Sequence, residues 1–224
     1  MTEKQDIRLL AIEDLMLFFK KNNIASFRAK QVHEWLWKKR VVNFEEMTSL
    51  SISDRHLLQE YFTINNVEIH KAEQSSDKTI KYSLKLHDNK LVEGVIIPSR
   101  KRLTACISSQ AGCSLACTFC ATGTLKLERN LNFSEIYDQV YILNEQAKLK
   151  FGKPLSNIVY MGMGEPLLNY ENLIKSIDLI TNDRGLGMSP KRITVSTAGI
   201  AKMIKKLADD EVKFNLALSL HTAN

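Results

Sequence analysis

The stretch Phe214-Asn215-Leu216-Ala217-Leu218-Ser219-Leu220-His221 alternates large apolar side chains with small or polar ones. A period of two belongs to a β-strand, whose successive side chains point to opposite faces. Two earlier stretches repeat it. In Lys191 to Ser196, Ile193 and Val195 oppose Thr194 and Ser196; in Leu103 to Ser108, Leu103, Ala105 and Ile107 oppose Thr104, Cys106 and Ser108. A fourth apolar run, Asn157 to Gly162, lies between them, and helical periodicity covers Ser134 to Leu149, Tyr170 to Asn182 and Ile200 to Ala208. This β-α-β order implies parallel strands joined by right-handed crossovers. A parallel sheet covered by helices on both sides would be apolar on both faces. Here one face is small and polar, which suits the inside of a barrel that hosts a ligand. The expected fold is α/β: part of a (β/α) barrel, its first four strands, over residues 103–224.

Upstream, apolar residues at three- and four-residue steps predict helices over Leu9 to Asn22, Phe27 to Lys39 with Ser26 as cap, Phe44 to Met47, and from Ser51 or Ser53 to Tyr61. Residues 1–64 therefore form a small helical domain. Trp35 and Trp37 suit core packing, or an RNA-contacting surface in which Arg28, Lys30, Lys38, Lys39 and Arg40 meet phosphates and one ring stacks on a base. Between them and the barrel, residues 65–102 hold three β-like runs, Val67 to Lys71, Ile80 to Leu86 and Leu91 to Ile97, expected as a short antiparallel connector. Glu93 stands in the third run beside Val92, Gly94 and Val95. A carboxylate among apolar neighbours is a candidate proton carrier.

The 224 residues, 44% of them apolar, suffice for a proper core. No apolar run approaches the roughly 20 residues that cross a bilayer, and the N-terminus shows no signal-peptide pattern, so a cytoplasmic protein is expected. A net charge of +6 and a pI near 9.1 hint at a polyanionic partner.

All four cysteines lie between Cys106 and Cys120. Clustered so closely, they suggest a metal centre rather than a disulfide framework. Cys113, Cys117 and Cys120 follow C-x3-C-x2-C, a spacing that lets a loop offer three thiolates to one iron-sulfur cluster. Three ligands leave one iron of a cubane free to bind something that is not protein. The competing reading is a four-cysteine zinc module that binds RNA without chemistry and takes Cys106 as its last ligand. If the core is a barrel, its active site lies at the C-terminal strand ends. The cysteine loop, Gly162-Met-Gly164-Glu165-Pro166, Ser196 and Ser219-Leu220-His221 all fall there.

A C-x3-C-x2-C loop after the first strand and a Gly-Glu-Pro element after the second resemble the radical S-adenosylmethionine superfamily. The strings Ser108-Ser-Gln-Ala-Gly-Cys113, Phe119-Cys-Ala-Thr-Gly123, Arg129-Asn-Leu131, Gly162-Met-Gly-Glu-Pro-Leu-Leu-Asn169 and Phe27-Arg-Ala-Lys-Gln-Val-His-Glu-Trp-Leu-Trp37 narrow the likeness. They are similar to the dual-specificity rRNA and tRNA adenine C2-methyltransferases. The resemblance implies a [4Fe-4S] cluster on Cys113, Cys117 and Cys120, with S-adenosylmethionine chelated at the open iron. It implies cofactor contacts from Gly164, Glu165, Ser196, Ser219, Leu220 and His221, and Glu93 as proton acceptor. It assigns Cys106 to a transient disulfide with a carrier cysteine near the C-terminus. The implied partners are 23S rRNA, tRNA and an electron donor of the flavodoxin type, and the enzyme is expected to be a monomer. Related enzymes that methylate adenine C8 share the cysteine loop but carry alanine where Pro166 stands, which favours C2.

No cysteine follows Cys120. The carrier is thus absent, and by resemblance the chain is expected to be an N-terminal piece, truncated after the fourth strand, that does not complete methyl transfer.

Overall fold

The computed structural model describes residues 4–183 and 185–220. The chain divides into two compact units, residues 1–66 with 183–186 and residues 67–182 with 187–224.

The first unit is helical, with α1 (Ile12–Lys21), α2 (Arg28–Trp37) and α3 (Ile52–Tyr61). Helix α1 carries Glu13 and Asp14 in its first turn and Lys20 and Lys21 in its last, each facing the favourable end of the helix dipole. Its buried side is Leu15 and Phe19; that of α2 is Ala29, Val32, Leu36 and Trp37. Ser26 does not cap α2, because Phe27 holds the cap position without a side-chain bond; Ser51 does cap α3, accepting from Asp54 N at 3.1 Å. Of the two tryptophans, Trp37 is core. Trp35 is half-buried, its Nε1 donates to Ser49 Oγ at 2.7 Å, and Lys39 Nζ sits 3.4 Å from the ring centre.

The second unit is built on one seven-stranded sheet. Its strands are β1 (Glu68–Gln74), β2 (Ile80–Lys85), β3 (Leu91–Pro98), β4 (Leu103–Cys106), β5 (Asn157–Tyr160), β6 (Ile193–Thr197) and β7 (Asn215–Leu218), and their spatial order follows the chain. β1 to β4 pair antiparallel in sequence, while β4 to β7 pair parallel. The three strands between Glu68 and Pro98 and the parallel strands thus share a single sheet. The β3–β4 corner is tight, closed by Ser99 N to Arg102 O at 2.9 Å and Arg102 N to Ser99 O at 3.2 Å.

Helices α4 (Phe133–Phe151), α5 (Tyr170–Thr181) and α6 (Ala201–Asp209) make the crossovers. α4 starts one residue before the expected Ser134, because Asn132 and Glu135 form a capping box, and it stops at Gly152, whose φ of 69° is left-handed. Its Ile136, Val140 and Leu143 are fully buried, each contributing about 1.5–3 kcal/mol by burial.

The alternation read from the sequence sorts the faces of this partial barrel. Leu103, Ala105, Ile158, Ile193 and Val195 are buried, whereas Thr104, Cys106, Thr194 and Ser196 are partly open. Strand β7 differs: Leu216 and Leu218 remain 42% and 53% exposed.

Candidate active site

The C-terminal ends of β4, β5, β6 and β7 surround a cleft of about 550 Å³. Cys113, Cys117, Cys120, Gly164, Glu165, Ser196, Ser219 and Leu220 all line it. Eight residues predicted from the sequence therefore meet in one place. His221 falls outside the described residues.

The cysteine loop departs after β4 and returns along Arg129-Asn130, which pairs antiparallel with Gln110-Ala111. Gly112 makes this closure possible: its φ is 78°, and a Cβ there would stand 2.0 Å from Lys126 O. Within the loop the three thiols are half-buried and free.

The turn after β5 is held from below by Gln110, a buried side chain to which sequence reasoning gave no role. Its Oε1 accepts from Glu165 N at 2.9 Å and its Nε2 donates to Asn130 Oδ1 at 2.7 Å. Gly164 passes so close over it, at φ 94°, that a Cβ would lie 2.5 Å from Gln110 Cβ. Asn169, equally unassigned, donates from Nδ2 to Ser109 O at 2.8 Å and Leu131 O at 2.7 Å. These bonds join residues far apart in sequence, so no local pattern announces them.

Glu165 is only 3% exposed. Its Oε1 accepts from Leu167 N at 3.0 Å and its Oε2 from Ala198 N at 2.8 Å. Two amide donors leave acceptor capacity on the carboxylate oxygens, so an ammonium group in the cleft would find lone pairs left over. Ser196 and Ser219 bring their hydroxyls to 3.0 Å of each other on adjacent strands.

Cys106 and Glu93 do not line this cleft. Cys106 lies on the inner face of β4, paired with Val95 on β3 and Val159 on β5. Burial pushes its thiol pKa up; a hydrogen bond with the Met161 backbone opposes the rise and the Glu93 charge adds to it. It forms no disulfide. Glu93 lacks the apolar setting its neighbours in sequence suggested. Its side chain is half-exposed, Lys81 Nζ stands 3.2 Å away, and it lies across the sheet from Ser83, while Val92 is buried on the opposite face. His87 places Nδ1 3.2 Å from Glu135 Oε1, and Arg129 is engaged by Asp88 and Glu135.

Three cysteine thiols on one cleft are the ligand type that iron-sulfur clusters take. Among the described residues no three His, Cys, Asp or Glu side chains converge on a single-ion site, and Cys106 stands apart from the other three thiols. A four-iron cluster is broader than an ion, so thiolates serving separate irons need not point at one centre. The cleft in front is of the size that takes a nucleoside-like ligand.

Comparison with known proteins places these features. Residues 107–224 match the radical SAM superfamily, and residues 6–64 match the ribosomal RNA large subunit methyltransferase N-terminal domain. The chain is 58% identical over 221 residues to the probable dual-specificity RNA methyltransferase RlmN of Flavobacterium psychrophilum, covering 99% of this chain and 64% of that protein. It is 40% identical to the protein of the same name from Salinibacter ruber, over 98% of this chain and 61% of the relative. The crystal structure of a radical SAM methyltransferase from Sphaerobacter thermophilus superimposes with a TM-score of 0.85 at 32% identity, covering 98% of this chain and 64% of that one. The chain thus spans less than two thirds of the length of these relatives. Among the described residues no helix is long and apolar enough to cross a membrane.

Proposed function

We propose, from the premise that this chain belongs to the radical SAM superfamily, that it is the cluster- and cofactor-binding part of a methyltransferase acting on C2 of adenine in 23S rRNA and tRNA. The superfamily uses a [4Fe-4S] cluster and S-adenosylmethionine. One observation carries the reading: three thiols and a buried, doubly amide-bonded carboxylate face one cleft at the ends of four parallel strands.

Cys113, Cys117 and Cys120 would hold the cluster. Gly164 would let the methionyl end of the cofactor approach the backbone, and Glu165 would accept from its ammonium. Ser196, Ser219, Leu220 and His221 would contact the rest. C2 of adenine is electron-poor and does not attack a sulfonium, so the substrate demands a radical route; the bound cluster supplies the electron for it. Glu93, on the same sheet face as Cys106, would take the proton that C2 loses. Cys106 would be the residue that the family resemblance pairs with a carrier cysteine.

The helical unit, with Trp35 under Lys39 and with Arg28, Lys38 and Arg40 in the same segment, suits RNA. A flavodoxin-type electron donor, a monomeric state and a cytoplasmic location complete the proposal. Deleting the gene in its host and analysing nucleosides by mass spectrometry tests it. The expected result is loss of 2-methyladenosine from both 23S rRNA and tRNA; its persistence, or loss of 8-methyladenosine instead, would overturn it.

A further inference from the structure

The cysteine loop has little internal structure of its own beyond a 3-10 turn at Ala121–Thr124. Its shape is set at its neck, where Gln110-Ala111 meets Arg129-Asn130 and Glu128 N donates to Ala111 O at 2.8 Å. Arg129 anchors this neck from outside. Its Nη1 and Nη2 donate to Glu135 Oε2 and Oε1, both at 2.8 Å, and its Nε donates to Asp88 Oδ2 at 2.7 Å. Glu135 is the buried capping-box carboxylate of α4, with a side chain only 2% exposed. Asp88 sits in the turn between β2 and β3, where its Oδ1 also accepts from Lys90 N at 3.3 Å. Lys90 of the same turn reaches Glu128 at the neck, and His87 reaches Glu135, the α4 carboxylate that Arg129 holds. Two side chains of one turn thus meet the exit of the loop that carries all three proposed ligands, and a third meets the carboxylate behind it.

We propose that the turn at residues 87–90 is a brace for the cysteine loop and that Arg129 is the positioning residue through which it sets how firmly Cys113, Cys117 and Cys120 retain their cluster. The inference rests on the three-cysteine cluster reading. The two-pronged Arg129–Glu135 contact fixes direction as well as distance, and with it the course of the segment by which the cysteine loop leaves its neck. The Arg129–Asp88 pair is partly buried, at 26% and 27% exposed, and it turns the guanidinium so that its other two nitrogens meet Glu135.

The test compares the parent chain with Asp88→Asn, Asp88→Glu and Arg129→Gln after anaerobic reconstitution with iron and sulfide. Cluster release to an iron chelator is followed by visible absorbance, and thermal unfolding of each cluster-free chain is recorded beside it. Arg129→Gln and Asp88→Asn should release the cluster about tenfold faster or more. Asp88→Asn should melt with the parent when cluster-free, and Asp88→Glu should restore part of the retention. Release from Asp88→Asn at the parent rate, or faster release matched by a lower melting point of its cluster-free form, would overturn the brace. If the parent itself binds no cluster, the three-cysteine reading falls and the brace with it; if the parent binds one and the variants keep it equally well, only the brace falls.

Discussion

Glu165 Oε2 accepts a 2.8 Å hydrogen bond from the backbone N–H of Ala198. The donor lies just past β6 and the acceptor just past β5, so one carboxylate ties together two neighbouring strand ends at the mouth of the cleft. Its other oxygen holds Leu167 N, which starts the short helical turn leading into α5. A residue proposed to bind the cofactor is therefore also a structural rivet.

Replacing Glu165 by Gln should accordingly do more than weaken cofactor binding. An amide cannot accept at both positions, so one buried N–H loses its partner and the charge-assisted bonds become neutral ones. The expected cost is about 1–3 kcal/mol, read as a lower urea midpoint with an unchanged slope. A variant as stable as the parent would show that the two amides contribute nothing net.

Tyr160 supplies a pH dependence. It is fully buried on the helix side of β5, its hydroxyl 2.8 Å from Ser176 Oγ, and burial pushes its phenol well above the usual range, with the Ser176 bond opposing. A raised pKa means that the fold favours the neutral form. The contribution is fully present below the ordinary phenol value of about 10 and is lost as pH rises toward the folded value. Urea unfolding at about pH 9 and about pH 11 should show the parent losing more stability than Tyr160→Phe. The substitution itself should cost only about 1 kcal/mol, because Ser176 keeps its bond to Leu173 O at 2.7 Å. Equal pH sensitivity of the two proteins would contradict this.

Cys106 should be separable from the other cysteines by its chemistry. In a chain carrying Cys113→Ser, Cys117→Ser and Cys120→Ser, the rate of alkylation by iodoacetamide should rise with a midpoint above the ordinary thiol value of about 8.5, because burial raises the thiol pKa. A midpoint at or below that value would place Cys106 in a reactive, open setting that the strand does not offer.

Much of this arrangement can be read from the chain before folding it. Period-two alternation at Thr104–Cys106 and Thr194–Ser196 separates the inner face of the barrel from the helix side, because a strand has no other way to distribute its side chains. Asn132 and Glu135 mark the start of α4 by their spacing. Other features depend on partners far away in sequence. Leu216 and Leu218 alternate like core residues yet stand exposed, since burial depends on what lies opposite. Gln110 and Arg129 read as ordinary polar residues, and their partners Glu165 and Asp88 lie 55 and 41 positions away. Glu93 misleads in the other direction: the valines beside it in sequence suggest an apolar setting, while its neighbours across the sheet are Lys81 and Ser83. The continuity of β3 with β4 likewise hides in a tight polar corner at residues 99–102 that looks like a boundary.

The division of the four cysteines into three and one is decided by iron content after anaerobic reconstitution. The parent chain and Cys106→Ala should each bind about four irons with broad visible absorption, and Cys113→Ala, Cys117→Ala and Cys120→Ala should each lose that absorption. A colourless parent that binds one zinc, or a Cys106→Ala variant that loses the centre as completely as Cys117→Ala, would contradict it.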